Sequence, residues 1–256
     1  MKKLNKRVVV LLSGGVDSSV AAYLLVKKGY EVIGVTLKLW GKELCGVLNE
    51  KSCCSIEGVE DARAICYKLE IPHYVVNLEK EFGKNVIDYF CKCYESALTP
   101  NPCIICNEKI KFDFILNKST ALGANYVASG HYARIISHKT SKKFFIREAV
   151  DKKKDQSYVL FGLTQGVLSK LILPLGNLTK VNVRALAKIA GFKIHNKLES
   201  QEICFIPDDN YGKFVMSRSS YDLLPGPIEF SNGKKLGEHR GIIHYTIGQR
   251  RGLGIA

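Results

Sequence analysis

Seven consecutive residues, Ser13-Gly14-Gly15-Val16-Asp17-Ser18-Ser19, have the types and order needed to hold phosphate. The glycine pair lets the backbone turn with positive φ and approach an anion closely. The free N–H groups and positive dipole end of a following helix would then face that anion. Ser13, Ser18 and Ser19 add hydroxyl donors. A carboxylate is expelled from a bare phosphate site, so Asp17 calls for Mg2+ between itself and a polyphosphate. The sequence holds no G-x-x-x-x-G-K-[ST], and no G-x-G-x-x-G between a strand and a helix. Kinase-like transfer and dinucleotide binding therefore lose support.

Nine cysteines supply a second chemistry. The chain opens on a strand rather than an export signal, so they read as thiols, metal ligands or catalysts rather than a disulfide frame. Cys103 and Cys106 form a C-x-x-C within Thr99-Pro100-Asn101-Pro102-Cys103-Ile104-Ile105-Cys106-Asn107. This joins a long helix expected over 81–98 to a shorter one expected over 106–117. At a helix start the Cys106 thiol would favour its thiolate, with Lys109 and Lys111 acting in the same sense. Taken alone, the pair reads as a redox couple, half a zinc site, or two ligands of an iron–sulfur cluster. Cys204 stands by itself in Ile203-Cys204-Phe205. Beside a phosphate loop, a second thiol has a use: one cysteine carries sulfur as a persulfide and another attacks to release it. Cys66 and Cys91 read as small core residues on helices. Cys45 is isolated, and the adjacent Cys53 and Cys54 are too close in sequence to converge easily on one ion.

These residues need a scaffold. Residues 7–12 form an aliphatic run without polar alternation, as expected of a parallel strand buried on both faces. A helix over 18–28 follows and stops at Gly29, then a strand over 31–37. Helix 56–69, strand 72–78 and strand 125–129 repeat the alternation, which predicts a doubly wound parallel α/β sheet. A hairpin is expected over 131–136 and 143–148, and a helix over 180–190 capped by Thr179. From Pro207 onward, short strands and glycine turns (228–230, 231–233, 241–247) predict a small, incomplete β domain. The expected division is a catalytic domain over 1–206 and a partial β domain over 207–256. No apolar stretch is long enough to span a bilayer, so a cytoplasmic protein is expected.

The chain carries 38 Lys+Arg against 24 Asp+Glu, a net +14, and residues 136–197 hold 13 basic and 3 acidic side chains, or +10 of that total. A field so concentrated attracts polyphosphate, which makes nucleic acid the leading partner class.

With these features in order, the sequence resembles the bacterial tRNA-specific 2-thiouridylases, within the pyrophosphatase-loop ATPases, whose fold is adenine nucleotide hydrolase-like. The strings that carry the resemblance run along the chain: Val9 to Ser19, Cys53-Cys54, Thr99 to Pro102, Cys106-Asn107, Ser129-Gly130-His131-Tyr132, Lys154 to Tyr158, Ile203 to Ile206 and Tyr245 to Gly254. The resemblance implies that Leu11, Leu12, Ser13, Gly14, Gly15, Val16, Asp17 and Ser18 hold ATP, with Leu37 and Gly130 on the adenine side. It implies that Asn101, Pro102 and Cys103 meet the target base, that His131, Lys154, Asp155 and Gln156 contact tRNA, that Cys106 is the nucleophile, and that Cys204 bears the persulfide. The implied reaction is adenylation of the wobble-uridine C2 oxygen, followed by sulfur transfer. The partners are the tRNA anticodon arm and a sulfur relay protein or cysteine desulfurase. The family's best-described members have Asp where this chain has Cys103, which makes Cys103, Cys106 and Cys204 an alternative iron–sulfur ligand set. The family also continues beyond this chain into a β-barrel, so weaker tRNA binding is expected here. The competing readings are another adenylating ligase on the same loop, which would leave the cysteines without a role, and a non-catalytic tRNA-binding or sulfur-carrier fragment.

Overall fold

The structure is a computed structural model describing residues 6–41, 56–138, 140–198, 203–206, 210–219 and 224–255. Strand β1 (Arg7–Leu11) lies at the centre of a parallel sheet. It pairs with β2 (Glu31–Lys38) on one side, Val8 opposite Val32, and with β4 (Tyr126–Ala128) on the other, Val8 opposite Tyr126. Strand β3 (His73–Asn77) extends the sheet beyond β2, and β7 (Leu171–Ile172) extends it beyond β4, giving the order β3-β2-β1-β4-β7. Val8 and Val10 join one buried cluster, while Val9 and Leu11 join another on the opposite face. Burial on both faces is why β1 shows no polar alternation. The chain leaves β1 toward β2 and β3, then returns to β1's other edge as β4. That reversal opens a crevice at the carboxyl ends of β1 and β4, where open α/β sheets take their ligands.

Helices α1 (Val16–Lys27) and α2 (Ile56–Lys68) cover one face. On the other face lie α3, over 79–95, and α4, over 102–119. Each contains a π-helical stretch, Gly83–Ile87 in α3 and Cys106–Phe114 in α4. Strands β5 (Ala133–Ser137) and β6 (Phe144–Glu148) form the expected antiparallel hairpin. Helix α5 (Gln165–Leu168) precedes β7, and α6 (Lys180–Ile189) is capped by the Thr179 side chain as expected. Helix α7 (Tyr211–Met216) is followed by the ribbon β8 (Gly226–Glu229) and β9 (Lys235–His239), which turns through Ser231-Asn232-Gly233.

Three sequence expectations need correction. The short helix begins at Pro102 rather than Cys106, because Asn101 accepts a hydrogen bond from the Cys103 N–H and proline is pre-set for the first helical position. The stretch after Pro207 contains a helix, α7, whose Phe214 and Val215 lie in the main hydrophobic cluster. Residues 241–247 form no strand; Ile242–His244 is a 3-10 turn anchored by fully buried Ile243. Cys45, Cys53, Cys54 and the proposed domain junction at Pro207 lie outside the described residues.

Candidate nucleotide and thiol site

The glycine-serine loop leaves β1 and enters α1 at the crevice. Its backbone shape depends on Gly14, with φ of +70°, where an added Cβ would lie 2.7 Å from Gly58 Cα in α2. Gly58 is thus part of the loop's support, though no motif marks it in the sequence. Gly15 occupies the N-cap of α1 and offers no side-chain cap, so the helix's first N–H groups keep their capacity for an anion. Ser13 N–H donates to Ser18 Oγ (3.2 Å), Ser18 Oγ donates to Gly15 O (3.1 Å), and Ser19 Oγ donates to Gly15 O (2.9 Å). Leu11, Leu12, Val16 and Leu37 are buried in the core, so any contact they make with a nucleotide comes chiefly from the backbone. Gly130, after β4, lies against the first turn of α1, where an added Cβ would stand 2.7 Å from Ser18 N and 2.8 Å from Asp17 C. The two loops expected to flank the nucleotide therefore meet.

Asp17 is held on both oxygens. The Lys180 ammonium donates to Oδ1 at 2.8 Å and Oδ2 at 2.7 Å, and the Tyr132 hydroxyl donates to Oδ1 at 2.7 Å. The Lys180 side chain is 11% exposed and that of Asp17 30%, so solvent screens the pair only in part. Lys180 Nζ also stands 6.0 Å from the centre of the Tyr132 ring. The backbone of Lys180 donates to Asp151 Oδ2 (2.9 Å), fixing the start of α6. Tyr132 is clamped in turn: its N–H donates to Gln156 Oε1 (3.0 Å), and the Gln156 N–H donates to Tyr132 O (2.8 Å). The motifs give no role to Lys180 or Tyr132, the two side chains that hold Asp17. The signal for Lys180 was present: a lysine in the first turn of a helix opposes the dipole and needs a specific acidic partner.

Asp17, expected to meet Mg2+, is thus half of an ion pair with Lys180. Among the described residues, no three His, Cys, Asp or Glu side chains are grouped so as to hold a metal ion. Cys103, Cys106 and Cys204 are thus not grouped as a ready-made ligand set in this structure. Cys103 is exposed in the first turn of α4, and Cys106 is buried one turn further on. The helix-start position expected for Cys106 belongs to Cys103, and the Lys109 ammonium is paired with Glu108 at 2.6 Å.

Both thiols attach to one hydrophobic cluster. Cys106 belongs to the cluster that contains Leu11 and Leu37, the carboxyl ends of β1 and β2, and Cys204 packs against it. Phe205 roots the Cys204 segment, its ring lying 5.3 Å from Phe90 and 5.7 Å from Phe82. Asn107, buried beside Cys106, donates to Val159 O (3.1 Å) and ties α4 to the segment following the Lys154-Asp155-Gln156 turn. Burial pushes the Cys66 thiol up to about 12 and the Cys91 thiol up to about 11, in keeping with inert core roles.

The expected tRNA-contacting residues divide. Asp155 accepts from Ala149 N (2.6 Å), Ser157 N (3.3 Å) and Ser157 Oγ (2.6 Å). Burial opposes its ionisation, but these hydrogen bonds prevail and hold its carboxyl below the usual range. Asp155 and Gln156 thus brace the turn, while Lys154 is partly exposed. His131 is bonded to Ser129 Oγ through Nδ1 (2.8 Å) and lies 5.9 Å from the Phe112 ring. Desolvation first, then the Lys111 charge, pushes its imidazole down to about 3, so the ring is neutral at physiological pH. Asn101 and Cys103 are exposed at the head of α4, and Pro102 is buried there.

The reversed parallel sheet, with its glycine-capped loop at the switch point, defines a HUP-type α/β protein. The family described as tRNA methyl transferase HUP domain matches residues 6–208, and its PRC-barrel companion matches 214–256. The tRNA-specific 2-thiouridylase MnmA of Lachnoclostridium phytofermentans is 48% identical over 98% of this chain and 70% of its own length. That of Halothermothrix orenii is 50% identical over 98% and 70%. Among solved structures, a 4-thiouridine synthetase–RNA complex with bound ATP gives a looser likeness, with TM-score 0.46 and 20% identity over 83% of this chain and 50% of that one. The chain belongs to the tRNA-specific 2-thiouridylase family and spans about 70% of the length of these relatives.

Proposed function

We propose that this chain activates a uridine of the tRNA anticodon arm with ATP and replaces its C2 oxygen with sulfur. A uracil C2 carbonyl is a weak electrophile with a poor leaving group, and adenylation remedies both defects. The C2 oxygen attacks the α-phosphorus of ATP, pyrophosphate leaves, and the base, splayed out of its stack, carries an AMP leaving group. The terminal sulfur of a persulfide on Cys204 then attacks C2 and expels AMP. Attack of Cys106 on Cys204 Sγ leaves the electron pair on the transferred sulfur, forming C2=S and a Cys106–Cys204 disulfide that an external thiol must reduce. A cysteine desulfurase or sulfur relay protein would supply the persulfide. Two thiols and a phosphate loop suit thiolation rather than methyl transfer.

The observation that carries this reading is the shared location. The phosphate loop opens at the carboxyl end of β1, and both thiols attach to the cluster that contains Leu11, the last residue of that strand. In this role Lys180 and Tyr132 position Asp17, while the uncapped N–H groups of α1 and Ser13 receive phosphate. Replacing Cys204 by Ala should abolish 2-thiouridine formation while RNA-dependent release of pyrophosphate continues. Thiouridine formation at the wild-type rate by that variant would overturn the thiol assignment.

A further inference from the structure

The segment Tyr245-Thr246-Ile247-Gly248-Gln249-Arg250-Arg251-Gly252 holds two adjacent arginines for which the reaction above has no use. Its placement is firm at both ends. Ile243, fully buried, roots it in the main cluster, and α7 braces the root through Tyr211 stacked on Tyr94 at 4.6 Å. Four residues after Ile243, the Ile247 N–H donates to Thr99 Oγ1 at 2.8 Å, a link across 148 positions to the threonine of the Thr99-Pro100-Asn101-Pro102 loop. The turn between is braced by one side chain. Gln249 Oε1 accepts from Thr246 N (3.0 Å), its Nε2 donates to Arg251 O (2.9 Å), and its N–H donates to Thr246 O (3.0 Å).

The turn is thus rigid, but what it presents is unsatisfied. Arg250 and Arg251 are exposed, and neither makes an ion pair among the described residues. Residues 240–256 contain three arginines and no Asp or Glu. Ile247 is 73% exposed at the head of the turn. Two exposed arginines on a hydrogen-bonded turn, with no ion pair among the described residues, suit phosphate oxygens, and the pre-formed turn lowers the entropy lost on binding. The link to Thr99 sets this pair beside the loop that would receive the target base.

We infer that Arg250 and Arg251 form an RNA phosphate clamp, gripping the backbone of the anticodon strand next to the extruded nucleotide. This rests on the tRNA reading above and adds to it a contact surface outside the basic stretch 136–197. Such contacts position the strand without reading its sequence.

The test uses the full chain and an anticodon stem-loop RNA, with dissociation constants measured from 50 to 300 mM KCl. For the R250Q/R251Q variant, affinity at the lowest salt should fall about tenfold. The slope of log affinity against log salt should shrink by roughly 0.7 to 0.9 for each lost phosphate contact. The R250K/R251K variant, which keeps both charges, should keep most of the slope. Wild-type binding combined with an unchanged slope in R250Q/R251Q overturns the clamp. Failure of the wild type to bind RNA at any salt overturns the tRNA reading and the clamp together.

Discussion

At the scale of single residues, the site turns on a charge pair that no motif records. Asp17 lies within the loop that would receive polyphosphate, and Lys180 neutralises it from 163 positions away. Removing only the cation strands a half-buried carboxylate. Lys180→Met should therefore destabilise the fold by about 2 kcal/mol, between the values for surface and buried pairs. The D17N/K180M double variant should regain more than half of that in urea unfolding; strict additivity of the two single changes would show that the pair is not coupled. His131 gives a second residue-level test. Its imidazole titrates near 6.5 in the unfolded chain and is pushed down to about 3 in the fold. The unfolded state therefore binds the proton first, and the neutral ring's contribution, whole above pH 6.5, drains away as pH falls toward 3. Between pH 7.5 and 5.0, wild type should lose about 2 kcal/mol that His131→Gln does not lose, at about 1.4 kcal/mol per pH unit. Equal losses in both proteins would contradict the assignment. The loop, the cysteines and the Lys154-Asp155-Gln156 string were legible in sequence because their chemistry is written in contiguous residues. Lys180, Tyr132 and Gly58 were not, because each matters only through a contact across the fold.

At the scale of elements, the strand-helix alternation was legible wherever a strand was long and aliphatic. Strand β7, only Leu171–Ile172, carries too few residues to show any pattern. Helix α7 has only six residues, too few to show a helical period, and Gly212 lies within it. Helix α4 starts one turn before Cys106 because Asn101 and Pro102 hold the capping chemistry. The close approach of the β4–β5 connection to α1 is an element-level constraint with a direct test. Gly130→Ala drives a methyl group into the backbone of Asp17 and Ser18, so α1 must shift. The expected result is a loss of about 1–3 kcal/mol, typical of overpacking, and an ATP dissociation constant raised at least tenfold by calorimetric titration. Unchanged ATP affinity would separate the two loops functionally.

At the scale of the whole molecule, the excess of 14 positive charges and the absence of any helix long and apolar enough to cross a membrane, among the described residues, fit a protein that meets a polyanion. Family membership narrows that polyanion to tRNA, and one hydrophobic cluster holds Leu11, Leu37, Cys106 and Phe205 together. The most direct measurement follows a single oxygen atom. Anticodon-arm RNA carrying 18O at C2 of the wobble uridine is incubated with the protein, unlabelled ATP and a persulfide donor, and the released AMP is weighed by mass spectrometry. The account predicts one 18O in AMP for every 2-thiouridine formed. Thiouridine accompanied by unlabelled AMP would contradict it.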